Sequence, residues 1–276
     1  MPYITASATS NTPVNIFYQD WGNGNPVILI HGWPVSHEMW EYQMNVLPKN
    51  GIRVIAYDRR GFGKSDKPWN GYDYDTLAAD LKALIDELKL DNVTLVGFSM
   101  GGGEVARYLG LYGSERIKKA VFVSAVVPFL LQTDSNPNGV PQEMFDSMEE
   151  QLMFDRPEFL TAFGKHFFGV SFLDNPVSQP ILDWMQMLAL HGSLHATVAC
   201  MRAFSSTDFR EDILKINIPT LIIHGDEDQT VPIEPTSNQT AKTILNAKYI
   251  VYEGEPHGLF ITQKERLTQD LLDFIL

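Results

Sequence analysis

Short apolar runs separated by turn residues recur along most of the chain. Each run is rich in valine and isoleucine and is largely apolar at consecutive positions. Runs of this kind are typical of strands buried on both faces, as in a parallel sheet. We therefore predict strands at residues 27–30, 52–57, 93–96, 120–123, 220–223 and 249–252.

Helical periodicity appears between these runs. It is clearest over residues 75–90, where leucine and isoleucine recur on one helix face. Two early segments, residues 3–7 and 14–18, are expected to add an antiparallel pair at one edge of the sheet. The whole pattern predicts an α/β fold with a mainly parallel, eight-stranded sheet and helices on both faces.

The alternation of strands and helices stops after Pro128. Residues 129–209 contain many aromatic and methionine side chains, several prolines and no convincing β-branched run. These side chains are too numerous for a solvated loop, so we predict a helical cap inserted after the sixth strand. The core domain is then residues 1–128 and 210–276, with the cap at 129–209. The cap residues expected to pack are Phe145, Phe154, Phe159, Phe163, Phe167, Phe168, Trp184 and Met185.

Composition narrows the functional classes. The chain has 276 residues, 44% of them hydrophobic, and a formal net charge of −13. Such an acidic protein repels nucleic-acid phosphates and anionic membrane surfaces. Residues 1–10 do not resemble a signal peptide, and no apolar stretch is long enough for a membrane helix. We expect a cytoplasmic protein without nucleic-acid or membrane partners, in which the single Cys200 is buried and inert.

The segment GFSMG at residues 97–101 carries the candidate nucleophile, Ser99. It follows a predicted strand and opens a predicted helix. A nucleophile on so sharp a turn needs glycines two residues before and two residues after it, because nearby Cβ atoms would clash. The N-terminus of the helix would also favour a developing oxyanion.

A serine hydroxyl needs a base, and His257 is the best placed of the seven histidines. It lies in a loop between the last predicted strand and the final helix, from which a side chain can reach the carboxyl edge of the sheet. His31 and His224 end strands and are expected to bond loop backbone groups. The other four are expected to be packed or solvated: His37, His166, His191 and His195.

The acid partner of the histidine is expected in the loop at residues 224–232. Asp226 directly follows a glycine and suits a turn-stabilising role, whereas Asp228 lies farther into the loop and can reach His257. Asp228 is therefore the predicted acid. The chain order Ser, Asp, His is the order expected for this kind of fold.

Two backbone N–H groups are predicted to form the oxyanion hole, those of Trp33 and Met100. Gly32 lets the Trp33 amide turn inward beside the nucleophile, and Pro34 has no N–H to donate. The glycines at 101–103 do not form a phosphate loop, and the segment DRRGFG at 58–63 is interpreted as a structural turn. We therefore expect no bound nucleotide.

Several motifs together carry a family resemblance. They are HGWP at 31–34, DRRGFGKS at 58–65, GYDYDT at 71–76, GFSMGGG at 97–103, GVP at 139–141, HGDxD at 224–228 and PHG at 256–258. Nearly end to end, the chain resembles the cofactor-free bacterial haloperoxidases of the α/β-hydrolase superfamily, a group that includes arylesterases and a γ-lactamase.

The resemblance implies a metal-free carboxylesterase that also perhydrolyses. Hydrogen peroxide, in place of water, would attack the acyl-enzyme, and the released peracid would oxidise halide in solution. The substrate would be a small to medium uncharged ester, and a homo-oligomer is possible. The expected substrate pocket consists of Pro34, Val126, Val127, Phe129, Phe163, Phe168, Val231 and Ile233.

Other functions stay open at this point. A lactone, γ-lactam or amide hydrolase, or an enzyme that hydrolyses carbon–carbon bonds, could use the same three residues. Ser99 argues against dehalogenases and epoxide hydrolases of this fold, which use an aspartate nucleophile. A binding protein that retains the fold without turnover is the alternative outside enzymes, although no member of the predicted triad is missing.

Overall fold

The computed structural model describes residues 2–6 and 13–276. Its strands within these residues are β1 (Tyr3–Ala6), β2 (Val14–Trp21), β3 (Asn25–Ile30), β4 (Ile52–Tyr57), β5 (Val93–Phe98), β6 (Ile117–Val123), β7 (Thr220–Gly225) and β8 (Lys248–Tyr252). They form one sheet in the order β1-β2-β4-β3-β5-β6-β7-β8. β1–β2 and β2–β4 pair antiparallel, and the other neighbours pair parallel.

The predicted α/β fold and its antiparallel edge pair are thereby confirmed. Ser7, at the end of the predicted edge segment, lies outside the described residues. The predicted strand at 120–123 is too short, since β6 begins at Ile117. Lysines interrupt the apolar run there, and Lys119 donates from Nζ to the carbonyl oxygens of Phe274 (2.5 Å) and Ile275 (2.9 Å).

The α-helices in the described residues are α1 (Glu41–Val46), α2 (Tyr74–Glu87), α3 (Met100–Tyr112), α4 (Gln142–Phe154), α5 (Arg156–Phe167), α6 (Gln179–Leu190), α7 (Leu194–Ser206), α8 (Arg210–Ile213), α9 (Ser237–Thr243), α10 (Leu259–Thr262) and α11 (Lys264–Ile275); short 3₁₀ helices at His37–Trp40 and Leu47–Asn50 flank α1. Asp73 caps α2 by accepting from the Thr76 N–H at 2.9 Å. The helix ends before the predicted Leu90, and Lys89 is left-handed with φ 50°. None of these helices has the length and hydropathy needed to span a membrane.

Alternate residues of β3 enter different hydrophobic cores. Ile28 and Ile30 pack in the core that contains Leu77 and Leu81 of α2, whereas Val27 and Leu29 pack in the core that contains Leu267 and Leu271 of α11. The sheet therefore has helices on both faces, as its consecutive apolar positions predict.

Helices α4 to α7 follow one another between β6 and β7. Phe145, Phe159, Phe167, Phe168 and Met185 are buried there, as expected. Phe154 is 94% exposed, and its predicted packing is wrong. It stands two positions after the buried Leu152, about 200° around the helix, and so faces solvent.

Candidate active site

Ser99 occupies a strained turn between β5 and α3. Its φ is 54° and its ψ −119°, a conformation that non-glycine residues rarely adopt. A Cβ at Gly97 would lie 2.5 Å from the Gly101 carbonyl oxygen, and a Cβ at Gly101 would lie 2.6 Å from the Ile30 carbonyl oxygen. Both glycines of the motif are therefore required by close packing around the turn.

His257 contacts both of its predicted partners. Its Nε2 lies 2.9 Å from Ser99 Oγ, and its Nδ1 lies 2.6 Å from Asp228 Oδ2. The imidazole is buried between Phe98 and Phe167, with ring centroids 4.9 and 4.7 Å from its own. In this arrangement Nε2 can take the Ser99 proton while the Asp228 carboxylate stabilises the imidazolium that forms.

Asp228 is held by the backbone of its own loop as well as by His257. Its Oδ1 accepts from the N–H groups of Thr230 (2.9 Å) and Val231 (2.8 Å). Burial alone raises the pKa of the Asp228 carboxyl, but its interactions with His257 and His224 outweigh burial and hold that pKa well below its usual range. The group is therefore a carboxylate at neutral pH.

Asp226 has the other role that its position predicts. Its Oδ1 accepts from the Gly254 N–H at 2.6 Å, which ties the β7 loop to the loop that follows β8. It is exposed, and no hydrogen bond between Asp226 and His257 is present among the described residues. The choice of Asp228 over Asp226 thus matches the geometry.

His224 is a neighbour of the acid that sequence reasoning missed. It is fully buried, and its Nε2 lies 2.8 Å from the Val231 carbonyl oxygen and 3.1 Å from Asp228 Oδ2. Because a carbonyl oxygen only accepts, Nε2 carries a proton and also faces the carboxylate. Its Nδ1 lies 2.7 Å from Ser237 Oγ. The expected bond to loop backbone is present, and the contact with Asp228 adds to it.

Of the two predicted oxyanion donors, Met100 directly follows the nucleophile, and Trp33 borders the same cavity as Ser99. Met100 is the first residue of α3, and Trp33 follows β3 in a loop whose Trp33–Pro34 peptide bond is cis. Among the described residues neither backbone N–H has a protein acceptor. The Trp33 indole is fixed by a 2.8 Å bond from Nε1 to the Thr197 carbonyl oxygen. Both amides are therefore available to a negatively charged oxygen.

A buried ion pair connects the two halves of this site. The Arg59 guanidinium donates to Glu104 Oε1 of α3 (2.5 Å) and to the His31 carbonyl oxygen ahead of Trp33 (2.6 Å). Tyr57 donates from its hydroxyl to the other Glu104 oxygen at 2.5 Å. Arg59 thus fixes the β3 loop against the helix that supplies Met100, which is how the turn at residues 58–63 acts on the site.

A cavity of about 320 Å³ opens onto Ser99 and His257. Its wall is mostly apolar and aromatic, and it also includes four polar side chains besides Ser99 and His257. The apolar members are Trp33, Val140, Met144, Phe145, Met148, Phe159, Ala162, Phe163, Phe204 and Val231; the polar ones are Gln151, His166, Gln229 and Thr230. Such a cavity suits a small uncharged molecule. A more open depression beside Phe172 is larger, at about 780 Å³, but includes none of the three site residues.

The predicted pocket residues fall into three groups. Phe163 and Val231 line the main cavity, and Pro34 and Phe168 line an adjoining cavity of about 30 Å³ that also includes Phe163. The other assignments need correction, because those side chains are buried in packed regions and line neither cavity: Val126, Val127, Phe129 and Ile233.

Packing explains the correction, because Val126 and Val127 belong to the hydrophobic core that also contains Leu77 and Leu81. The Phe129 ring lies 5.1 Å from the Arg210 guanidinium carbon. The pocket residues that prediction missed come mainly from α4, α5 and α7, where helical spacing of large apolar residues was the available signal.

Comparison with known proteins agrees with the fold. Residues 25–264 match the family described as alpha/beta hydrolase fold, and the chain belongs to this family. It is 44% identical to a non-heme chloroperoxidase of Kitasatospora aureofaciens, over 97% of this chain and 98% of that protein. It is 42% identical to a bifunctional esterase/perhydrolase of Acinetobacter calcoaceticus, over 97% and 98%.

The similarity extends to a solved structure. The bromoperoxidase of Bacillus anthracis superimposes with a TM-score of 0.94 at 46% identity, and the match covers 99% of both chains. The chain therefore shares the complete fold of a haloperoxidase, including the segment between β6 and β7.

Proposed function

We propose that this protein is a serine carboxylesterase that hydrolyses small to medium uncharged esters and also perhydrolyses them. The observation that carries the proposal is the continuous contact from Ser99 Oγ through His257 to Asp228 at the floor of an apolar cavity. The esterase/perhydrolase and chloroperoxidase relatives support the choice of substrate and of acyl acceptors.

The geometry supports catalysis in two steps. Ser99 Oγ attacks the ester carbonyl carbon as His257 Nε2 takes its proton, and the Trp33 and Met100 amides stabilise the oxyanion. His257 then protonates the leaving alcohol, which gives the acyl-enzyme. Water or hydrogen peroxide next loses a proton to His257 and attacks the acyl carbon. His257 returns that proton to Ser99 Oγ as the bond between Oγ and the acyl carbon breaks, and the product is a carboxylic acid or a peracid.

Residues 129–209 are proposed to form a cap domain over a core made of residues 1–128 and 210–276. The support is that α4, α5 and α7 supply most of the cavity wall, whereas Ser99, Asp228 and His257 come from loops at the sheet. The absence of nucleic-acid and membrane partners is proposed from the net charge of −13, and cytoplasmic residence is proposed with it. Assembly into a homo-oligomer belongs to the same proposal.

The test is a rate survey over acyl-chain lengths with aryl and alkyl alcohols, with and without hydrogen peroxide. We expect short acyl groups to react best, peroxide to yield peracid, and a fluorophosphonate to label Ser99 stoichiometrically. Turnover of lactones or γ-lactams far above that of all esters would favour the alternative hydrolase. An absence of labelling would instead indicate a binding protein.

Pro34→Leu is expected to lower the ratio of perhydrolysis to hydrolysis. Proline fixes its own φ and restricts Trp33, so this loop can hold a carbonyl that accepts a hydrogen bond from attacking peroxide. A tenfold change in the ratio needs only about 1.4 kcal/mol between two transition states. Both rates are measured on one short ester. An unchanged ratio, or an equal fall in both rates, would limit Pro34 to a structural role.

A further inference from the structure

Two methionines form part of the wall around the nucleophile. Met144 and Met148 stand four residues apart on α4 and line the same cavity as Ser99 and His257. Residues at this spacing share one helix face. Met148 is half-buried against the core, and Met144 is 57% exposed. Neither thioether has a part in the proposed reaction, although both border the space in which its product forms.

We propose that Met148 and Met144 are modification sites, oxidised to the sulfoxide by the peracid that the enzyme makes. The inference rests on the proposed perhydrolysis, which supplies the oxidant from an ester and hydrogen peroxide. The terminal peroxidic oxygen of the peracid passes to sulfur. The O–O bond breaks, an S–O bond forms, sulfur loses two electrons, and the peracid becomes the carboxylic acid with its proton on the carboxyl group.

Their position in the cavity wall is the reason why these two thioethers should be oxidised in preference to the others. One peracid molecule in a cavity of about 320 Å³ has a local concentration of about 5 M, far above any concentration it reaches after release. The other methionines of the described residues do not line this cavity. Five are at most 5% exposed: Met39, Met44, Met100, Met185 and Met201. Met153 and Met187 are 62% and 50% exposed but line no part of the cavity, which makes them internal controls.

Oxidation at these positions changes the pocket. A sulfoxide is polar and chiral, and at Met148 it enters a wall that includes Phe145 and Phe159. An apolar substrate would then lose contact area and meet a polar group. The ester-hydrolysis rate should therefore decline with the number of perhydrolytic turnovers, and methionine sulfoxide reductases of both stereospecificities should restore it.

The deciding experiment measures sulfoxide at each methionine by peptide mass spectrometry during turnover of ester and peroxide. Free methionine is added to remove peracid from bulk solution, and peracid output is recorded in parallel without it. We expect Met148 and Met144 to be oxidised about tenfold faster than Met153 and Met187, given their local exposure to product. Peroxide alone, or Ser99→Ala with both substrates, should abolish this preference.

Added peracid provides the reverse comparison. With Ser99→Ala and preformed peracid, oxidation should follow solvent exposure, with Met153 at least as fast as Met148. If the active enzyme forms peracid and yet oxidises Met148 no faster than Met153, the inference is overturned while the proposed function stands. If no peracid forms, the inference is overturned together with the perhydrolysis part of the proposed function, whereas ester hydrolysis is tested separately by the rate survey.

Matched variants test the functional consequence. Leucine is close to methionine in volume and lacks the thioether, so a Met144→Leu/Met148→Leu double variant and a Met153→Leu/Met187→Leu double variant are compared. Each rate is normalised to the initial rate of the same variant. Only the first pair should slow the decline during perhydrolysis. Equal declines in both would show that oxidation at the cavity wall does not affect activity.

Discussion

Replacing Ser99 or His257 by alanine is expected to lower ester turnover by about 10⁴-fold or more. Ser99 Oγ lies 2.9 Å from His257 Nε2, so removing either group abolishes the activated nucleophile. The double variant should be scarcely slower than either single variant, since the two side chains act as one unit. Initial rates on one short ester, measured for all three variants, check this prediction.

Folding must be preserved for these rates to be meaningful. Circular dichroism and thermal unfolding of each variant provide the control. Replacing Ser99 by alanine does not relieve the backbone strain at this position, because the surrounding turn keeps φ at 54°. A folded Ser99→Ala protein that kept more than about a hundredth of wild-type turnover would contradict the assignment of the nucleophile.

Asp228→Asn is expected to lower kcat by about 10⁴-fold, and Asp226→Asn is expected to leave it close to the wild-type value. The first change removes the negative charge 2.6 Å from His257 Nδ1 and allows the wrong imidazole tautomer. The second leaves a side-chain oxygen that can still accept from the Gly254 N–H. Both variants change one carboxylate to an amide in the same loop, so they form a matched pair.

The pair is assayed for kcat on one ester and for thermal unfolding. A greater loss of kcat in Asp226→Asn, with its fold intact, would contradict the choice of acid. Asp228→Asn should also lose stability at neutral pH. The folded-state pKa of Asp228 is depressed, so its charged form stabilises the fold above the ordinary carboxyl pKa, and that contribution is lost as pH falls.

Local sequence was enough to locate the strands, the nucleophile turn and the three residues in contact. Consecutive apolar positions reflect burial on both faces of a sheet, and glycines at 97 and 101 reflect close backbone approach at one turn. The carboxyl ends of parallel strands meet at one edge, so Ser99, Asp228 and His257 could be brought together without coordinates. These constraints are short-range, or follow from topology alone.

The pocket and the contacts that support the site depended on tertiary structure. Met144, Phe145 and Met148 of α4 line the cavity at Ser99 because of the way separate helices pack. Val126 and Val127 are equally apolar but are buried in the core, so apolar character alone did not distinguish pocket residues from core residues. The contact of His224 with Asp228, and those of Arg59 with the β3 loop and α3, likewise could not be predicted from local sequence.

The physical reason is the range of the interactions. A strand, a helix-capping residue or a tight turn is favoured by neighbouring residues in the chain, so it can be predicted from local sequence. Arg59 and Glu104 are 45 positions apart, and Trp33 Nε1 bonds a carbonyl 164 positions away. Their pairing follows from the relative placement of whole elements, which only the folded chain determines.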